Sequence, residues 1–417
     1  MEIKRDLYLN KLIQRKHNGL IKVITGIRRC GKSYLLNTIF KNHLLSEGID
    51  SDHIIEMAFD DYENAKFRDP DVFYSFAKEK IKDNNMYYFL LDEVQLLNNF
   101  ESVLLGLMHR KNADVYVTGS NAKFLSKDII TEFRGRGDEI HMYPLSFSEF
   151  LTVYEGEKSD ALNEYMVYGG LPLVVLTPDP EHKTELLNSL FSETYLSDIL
   201  TRNRLKNTGE MGELISILSS NIGSLTNPSK LQNTFRTVKK SKITAATITK
   251  YLGYLSEAYL IEGAKRYDIR GKAYIETPLK YYFTDLGLRN ASISFRQIEP
   301  THSMENIIYN ELCSRGFSVD IGTVNISERN NLGIPTRKQL EVDFVANKGS
   351  KRYYIQSVYA IPDGDKLEQE TRPLNKIEDS FKKIIISHNA PAPFYSEDGI
   401  LTMNILDFLI NKNSLDF

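Results

Sequence analysis

Cysteine is scarce: Cys30 and Cys313 are the only two in 417 residues. Two thiols cannot staple a fold of this size, so a disulfide framework is excluded and a reducing cytoplasm is the expected compartment. Long apolar runs are missing as well. Nothing approaches the roughly 18 to 20 residues of a membrane helix, and no membrane partner is expected. Met1 to Asp6 mixes charges of both signs with no apolar core behind them, which does not read as a secretory signal. Charge of one sign is also lacking. The net charge of -3 gives no global field toward nucleic acid or acidic lipid, so any such affinity must come from a local patch. There is no internal repeat and no low-complexity tract. What remains is ordinary globular composition, 41% hydrophobic and 26% charged, at a length that implies two to three domains.

Strand and helix patterns alternate through the first third. Residues 20–25 read as a short buried strand, followed by a tight loop, Gly26 to Gly31. Leu35, Leu36, Ile39 and Leu44 then recur at near-helical spacing. Residues 54–59, 87–91 and 115–118 read as further strands. Tyr87 to Leu91 is continuously apolar, as a strand buried on both faces should be. This predicts an α/β fold with a parallel sheet covered by helices. Helices dominate from about 150 to 260, a hairpin-like stretch spans Ala264 to Phe283, and strands return at 340–345, 352–356 and 383–386. The expected domains are 1–150, 151–295 and 296–417.

Gly26-Ile27-Arg28-Arg29-Cys30-Gly31-Lys32-Ser33 matches G-x-x-x-x-G-K-[ST] in full, between a predicted strand and a predicted helix. The glycines let successive N–H groups turn toward phosphate oxygens. The following helix adds the positive end of its dipole. Lys32 supplies a cation for the outer phosphates, Ser33 a hydroxyl for Mg²⁺, and Tyr34 completes the binding stretch. Asp92-Glu93 closes the apolar strand at the end that faces the ligand crevice of an α/β sheet. Asp92 is expected to hold Mg²⁺ and Glu93 to act as general base toward water. The glutamate favours hydrolysis over transfer to a second substrate. Thr118-Gly119-Ser120-Asn121 follows the fourth strand, with Ser120 and Asn121 as candidates to orient water or touch the γ-phosphate. In Phe133-Arg134-Gly135-Arg136-Gly137, Arg136, then Arg134, is the candidate arginine finger toward a neighbouring subunit. Otherwise these are surface arginines paired with Glu132 or Asp138. Arg28 and Arg29 are structural anchors or partner contacts, and Cys30 reads as an inert small residue.

The run Ile21 to Ser33 resembles the AAA-type ATP-binding proteins of bacteria and archaea that carry a carboxy-terminal domain of unknown function. Further matches are Leu91-Asp92-Glu93-Val94-Gln95, Thr118 to Asn121, Gly135-Arg136, Tyr143 to Phe150, and Tyr168-Gly169-Gly170-Leu171-Pro172. The resemblance covers Lys4 to about Asn290. It implies a P-loop AAA-like domain, a helical and winged-helix segment, and a carboxy-terminal α/β domain similar to the restriction-endonuclease fold.

Ile248, Leu252, Leu255 and Tyr259 sit at helical spacing after Ser241 to Thr244, and a basic hairpin follows. Recognition helix then wing is the order of a winged helix-turn-helix. Residues 227–280 hold eleven Lys and Arg against four Asp and Glu, the local excess that phosphate contact needs. The candidate DNA contacts are Thr247, Lys250, Lys265, Arg266, Arg270 and Lys272; the alternative is a fold used for protein contacts. Further on, Glu305, Asp343 and the stretch Gln356-Ser357-Val358 resemble the spacing of a PD-(D/E)XK nuclease core. That chemistry needs two acids on a metal and a lysine. The third motif here has Gln356 and Val358, and Lys351 and Arg352 lie at the strand's start. The expectation is a nuclease-like fold without cleavage.

Together these features predict an ATP- and Mg²⁺-dependent ATPase, homo-oligomeric and DNA-interacting. The alternative is a STAND-like nucleotide switch whose winged helix serves protein contacts.

Overall fold

A computed structural model of the chain describes residues 3–119, 135–205, 208–238, 240–296, 298–329, 335–361 and 365–417. The chain divides into two compact units. One is Met1–Pro144 with Glu257–Tyr259, the other Leu145–Ser256 with Leu260–Phe417. Among the described residues no helix is long and apolar enough to cross a membrane.

The first unit is built on five strands: β1 (Ile21–Thr25), β2 (Ile54–Ala58), β3 (Tyr87–Asp92), β4 (Ala113–Thr118) and β5 (Gly137–His141). They lie in the order β2-β3-β4-β1-β5 and every pairing is parallel. β3 is buried at all six positions, as its unbroken apolar run requires. One face packs Ile21, Val23, Phe89, Leu91, Val115 and Val117 against Phe73, Ala77, Leu104 and Leu107 of two covering helices, Pro70–Lys80 and Phe100–Met108. Truncating a buried leucine such as Leu91 to Ala costs about 2–5 kcal/mol in such a core. Lys22, inside β1, is fully buried and ion-paired with Asp114 of β4, which also accepts from the Tyr116 hydroxyl at 2.7 Å and His17 N at 3.1 Å. Burial pushes the Lys22 ammonium down, and Asp114 opposes that. β5 is a strand that the sequence conceals. Gly-Asp-Glu-Ile-His is polar, and only Ile140 is buried, because β5 is the sheet's edge.

The strand order brings the carboxyl ends of β1, β3 and β4 side by side. Three loops therefore meet on one edge of the sheet.

The second unit carries a nine-stranded mixed sheet. Its strands are β6 (Leu225–Thr226), β7 (Ile261–Asp268), β8 (Ala273–Phe283), β9 (Ser318–Arg329), β10 (Pro335–Lys348), β11 (Lys351–Val358), β12 (Lys382–Ser387), β13 (Phe394–Tyr395) and β14 (Leu401–Asn404). Their order is β13-β14-β12-β11-β10-β9-β7-β8-β6. β7 pairs in parallel with β9, so residues on either side of 295 share one sheet. Helices Pro228–Val238 and Ala245–Glu257 precede the β7–β8 hairpin.

The Gly169-Gly170 turn has a structural task in this unit. The Asp285 carboxylate accepts from Gly170 N at 2.8 Å and Leu288 N at 3.0 Å, and the Asn290 side chain donates to Met166 O and Val167 O. Gly169 has φ 73, and a Cβ there would lie 2.5 Å from the Asp285 carboxylate. Only glycine meets both demands.

Candidate nucleotide site

The loop between β1 and the helix that begins at Lys32 is shaped by its two glycines, at φ 137 for Gly26 and φ 99 for Gly31. A Cβ on Gly26 would fall 2.1 Å from Met142 O, so the segment after β5 holds the loop at close range. Cys30 is buried, its Sγ 3.6 Å from Met142 O, and Ile27 is fully buried. Arg5 braces the same place, donating to Tyr143 O at 2.6 Å and Cys30 O at 3.4 Å. Arg29 is exposed with φ 64, Arg28 is half-buried, and Tyr34 is exposed.

Lys32 turns inward. Its Nζ donates to Gly26 O at 2.9 Å and Ile27 O at 3.0 Å, across the concavity of the loop. Ser33 Oγ donates to Asp92 Oδ1 at 3.1 Å. Thr118, at the end of β4 and fully buried, donates its hydroxyl to the same Asp92 oxygen and accepts from Glu93 N at 3.1 Å. Glu93 follows with φ 49, in the left-handed region, and its Oε2 accepts from the Gln95 side-chain amide. Burial pushes the Asp92 carboxyl above its ordinary value, Thr118 and Ser33 pull it back, and Glu93 and Asp60 add negative charge. A hydroxyl and a buried carboxylate held together, with acids around them, are hard oxygen donors suited to a divalent cation. Magnesium usually takes one or two carboxylates and completes its shell with water and phosphate. Among the described residues no group of three or more His, Cys, Asp or Glu is placed to hold a metal by itself.

Residues 18–151 match a family described as an AAA domain, and residues 159–299 match a domain of unknown function. Over 98% of its length the chain is 36% identical to an uncharacterized protein of Haemophilus influenzae, of which it spans 98%. The chain belongs to that protein's family. A second relative, an uncharacterized protein of Methanocaldococcus jannaschii, is 28% identical over 97% of the chain and 88% of its own length. Among solved structures, the ORC1 protein of Aeropyrum pernix in complex with DNA aligns over 70% of this chain and 92% of its own. Its identity is 11% and its TM-score 0.29. The match over residues 18–151 makes the five-stranded parallel sheet with its phosphate loop a P-loop AAA-like domain.

Within this AAA domain, Lys32, Ser33, Asp92 and Glu93 come together. Thr118 and Gln95 join them and were not foreseen. Thr118 lies two positions before Ser120, and only the side-by-side ends of β3 and β4 show that its hydroxyl reaches Asp92. Ser120, Asn121 and Arg134 lie outside the described residues. Arg136 is exposed just before β5, its carbonyl accepting from Ile21 N. Because β5 runs parallel to β1, Arg136 marks the opposite edge of the sheet from the phosphate loop, roughly 16 Å away along a five-residue strand.

In the second unit the candidate DNA contacts separate into two groups. Lys250 is exposed and lies 5.6 Å from the Tyr254 ring, Lys265 is exposed on β7, and Lys272 is exposed in the hairpin turn. Thr247 is half-buried and shares a hydroxyl contact of 2.9 Å with Thr244. Two residues depart from expectation. Arg266 is buried and donates to Gln339, and Arg270 donates to Glu378 at 2.7 Å and Lys376 O at 3.1 Å. Arg266 lies two positions after the buried Ala264 and so shares its inward face of β7, while Lys265 between them is exposed.

The carboxy-terminal acids also acquire an unforeseen partner. Lys280 of β8 is buried, 3.1 Å from Glu305 and 2.7 Å from Glu341. Tyr282 OH donates to Glu305 at 2.7 Å, and Asp343 accepts from Ser357 N at 2.8 Å. Val358 is buried, Lys351 pairs with Asp416 at 2.8 Å, and Arg352 lies over the Tyr267 ring. The cation at this cluster therefore comes from the hairpin. Burial, with Glu305 adding to it and Lys280 opposing, pushes the Asp343 carboxyl from 3.8 up to about 8. A raised acid is protonated in the fold while the unfolded chain is already charged, so its stability cost grows as pH rises from about 4 to about 8. Asp343→Asn is expected to raise Tm more at pH 8.5 than at pH 5. Thermal melts at both values check it; an equal shift at both would remove the buried-acid assignment.

Proposed function

We propose that this protein is an ATPase that works with Mg²⁺, as an oligomer on DNA. The carrying observation is the meeting of the phosphate loop, Lys32, Ser33, Asp92 and Glu93 at one edge of the sheet. The amides between Gly26 and Ser33 bind phosphate oxygens, and Lys32 leaves its loop carbonyls to meet the outer phosphates. Ser33 and Asp92 would hold the magnesium ion, which when bound neutralises charge on the phosphates. Thr118 orients the Asp92 carboxylate and fixes the backbone of Glu93. Glu93 takes the proton of the attacking water. Arg136 acts on the nucleotide of a neighbouring copy.

The DNA contact rests on Lys250, Lys265 and Lys272, which stay exposed. Replacing all three by Ser is expected to weaken duplex binding and to flatten the slope of log affinity against log salt by about 2 to 3. Binding titrations between 50 and 200 mM salt read this directly, and an unchanged slope would move the contact elsewhere. A second reading draws on Arg266 and Arg270, whose guanidinium groups are engaged inside the unit. It is a nucleotide switch whose second unit meets protein. ATPase rates with and without duplex, branched and single-stranded DNA separate the two: stimulation that falls with salt selects the DNA machine, and indifference selects the switch.

A further inference from the structure

Resting on the ATPase reading, we propose that Gln95 is a positioning residue that restrains Glu93 in the resting state. The turn after β3 places the two side chains together. Glu93 sits in the left-handed region at φ 49, a 3-10 turn Val94–Leu96 follows, and Leu96 N closes it on Glu93 O at 3.0 Å. The Gln95 amide then donates to Glu93 Oε2, one of the two oxygens that can take a proton from water. The clamp is incomplete. Gln95 Oε1 is buried and accepts no hydrogen bond from a described residue. A buried carbonyl without a donor is costly, so the arrangement yields once a rearrangement of the site supplies one. The rest of the site is at rest in the same sense. Lys32 is spent on Gly26 O and Ile27 O, and Ser33 on Asp92. Each group the substrate needs is held by the protein itself, and Gln95 performs that service for the base.

The test uses the full chain at saturating ATP. Gln95→Met keeps the volume and removes the donor; Gln95→Glu keeps the shape and repels Glu93. Both are expected to raise basal kcat about fivefold, the worth of one side-chain hydrogen bond lost from the ground state. KM for ATP should stay within about twofold, since no phosphate contact changes. In a Glu93→Gln background neither substitution should alter the rate. A role confined to packing would not produce that dependence on Glu93. If one variant fails to fold, the other decides. A kcat equal to or below the parent's overturns the restraint. If Glu93→Gln turns over as fast as the parent, the base assignment fails instead. A silent parent with an active Gln95→Met supports the restraint, and silence in every variant overturns both.

Discussion

Lys32→Ala is expected to abolish measurable ATP binding. The ammonium is buried at the centre of the phosphate loop, within 3.0 Å of two of its carbonyls, so it already occupies the concavity that the outer phosphates enter. Two charge-assisted hydrogen bonds to phosphate are worth about 3–5 kcal/mol together, which corresponds to a hundredfold or greater loss of affinity. The fold should tolerate the change, because the loop is braced independently by Met142, Arg5 and the two glycines. Calorimetric titration with ATP and Mg²⁺ checks the affinity, and a melting curve checks the fold. Tight binding by a folded Lys32→Ala protein would refute the site.

Glu93→Gln is expected to do the reverse, leaving ATP affinity near the parent's and slowing turnover about a hundredfold. A positioned general base contributes about 10²–10⁴-fold, and the amide keeps the shape while removing the basic oxygen. Asp92, Ser33 and Thr118 hold one another through hydrogen bonds to which Glu93 contributes its backbone N–H. Binding and catalysis should therefore part cleanly. Steady-state kinetics with a parallel binding titration read both, and an unchanged kcat would transfer the base role to another group.

The phosphate loop was legible because its chemistry is local. Eight consecutive residues carry the turn, the cation and the hydroxyl, and no distant residue is needed to recognise them. The apolar run before Asp92 showed where the acidic pair would lie, since a strand buried on both faces must deliver its next residues to the sheet edge. Thr118 and Gln95 were hidden for opposite reasons. Thr118 is significant only because β3 and β4 are neighbours. Gln95 is significant only because Glu93 adopts a left-handed backbone that folds the turn back. Arg266 shows how a pattern misleads: charge counting placed it on a basic face beside Lys265, but successive strand residues point to opposite faces, and Arg266 takes the inner one.

Composition and short-range pattern alone determined the α/β class, the phosphate loop and the acids that face it, because hydrophobic period and turn chemistry act within a few residues. Tertiary structure alone decided which hydroxyl holds Asp92, which amide holds Glu93, that Lys280 neutralises the carboxy-terminal acids, and that strands on both sides of 295 form one sheet. Those facts depend on strand order, register and burial, which arise from contacts between residues far apart in the chain.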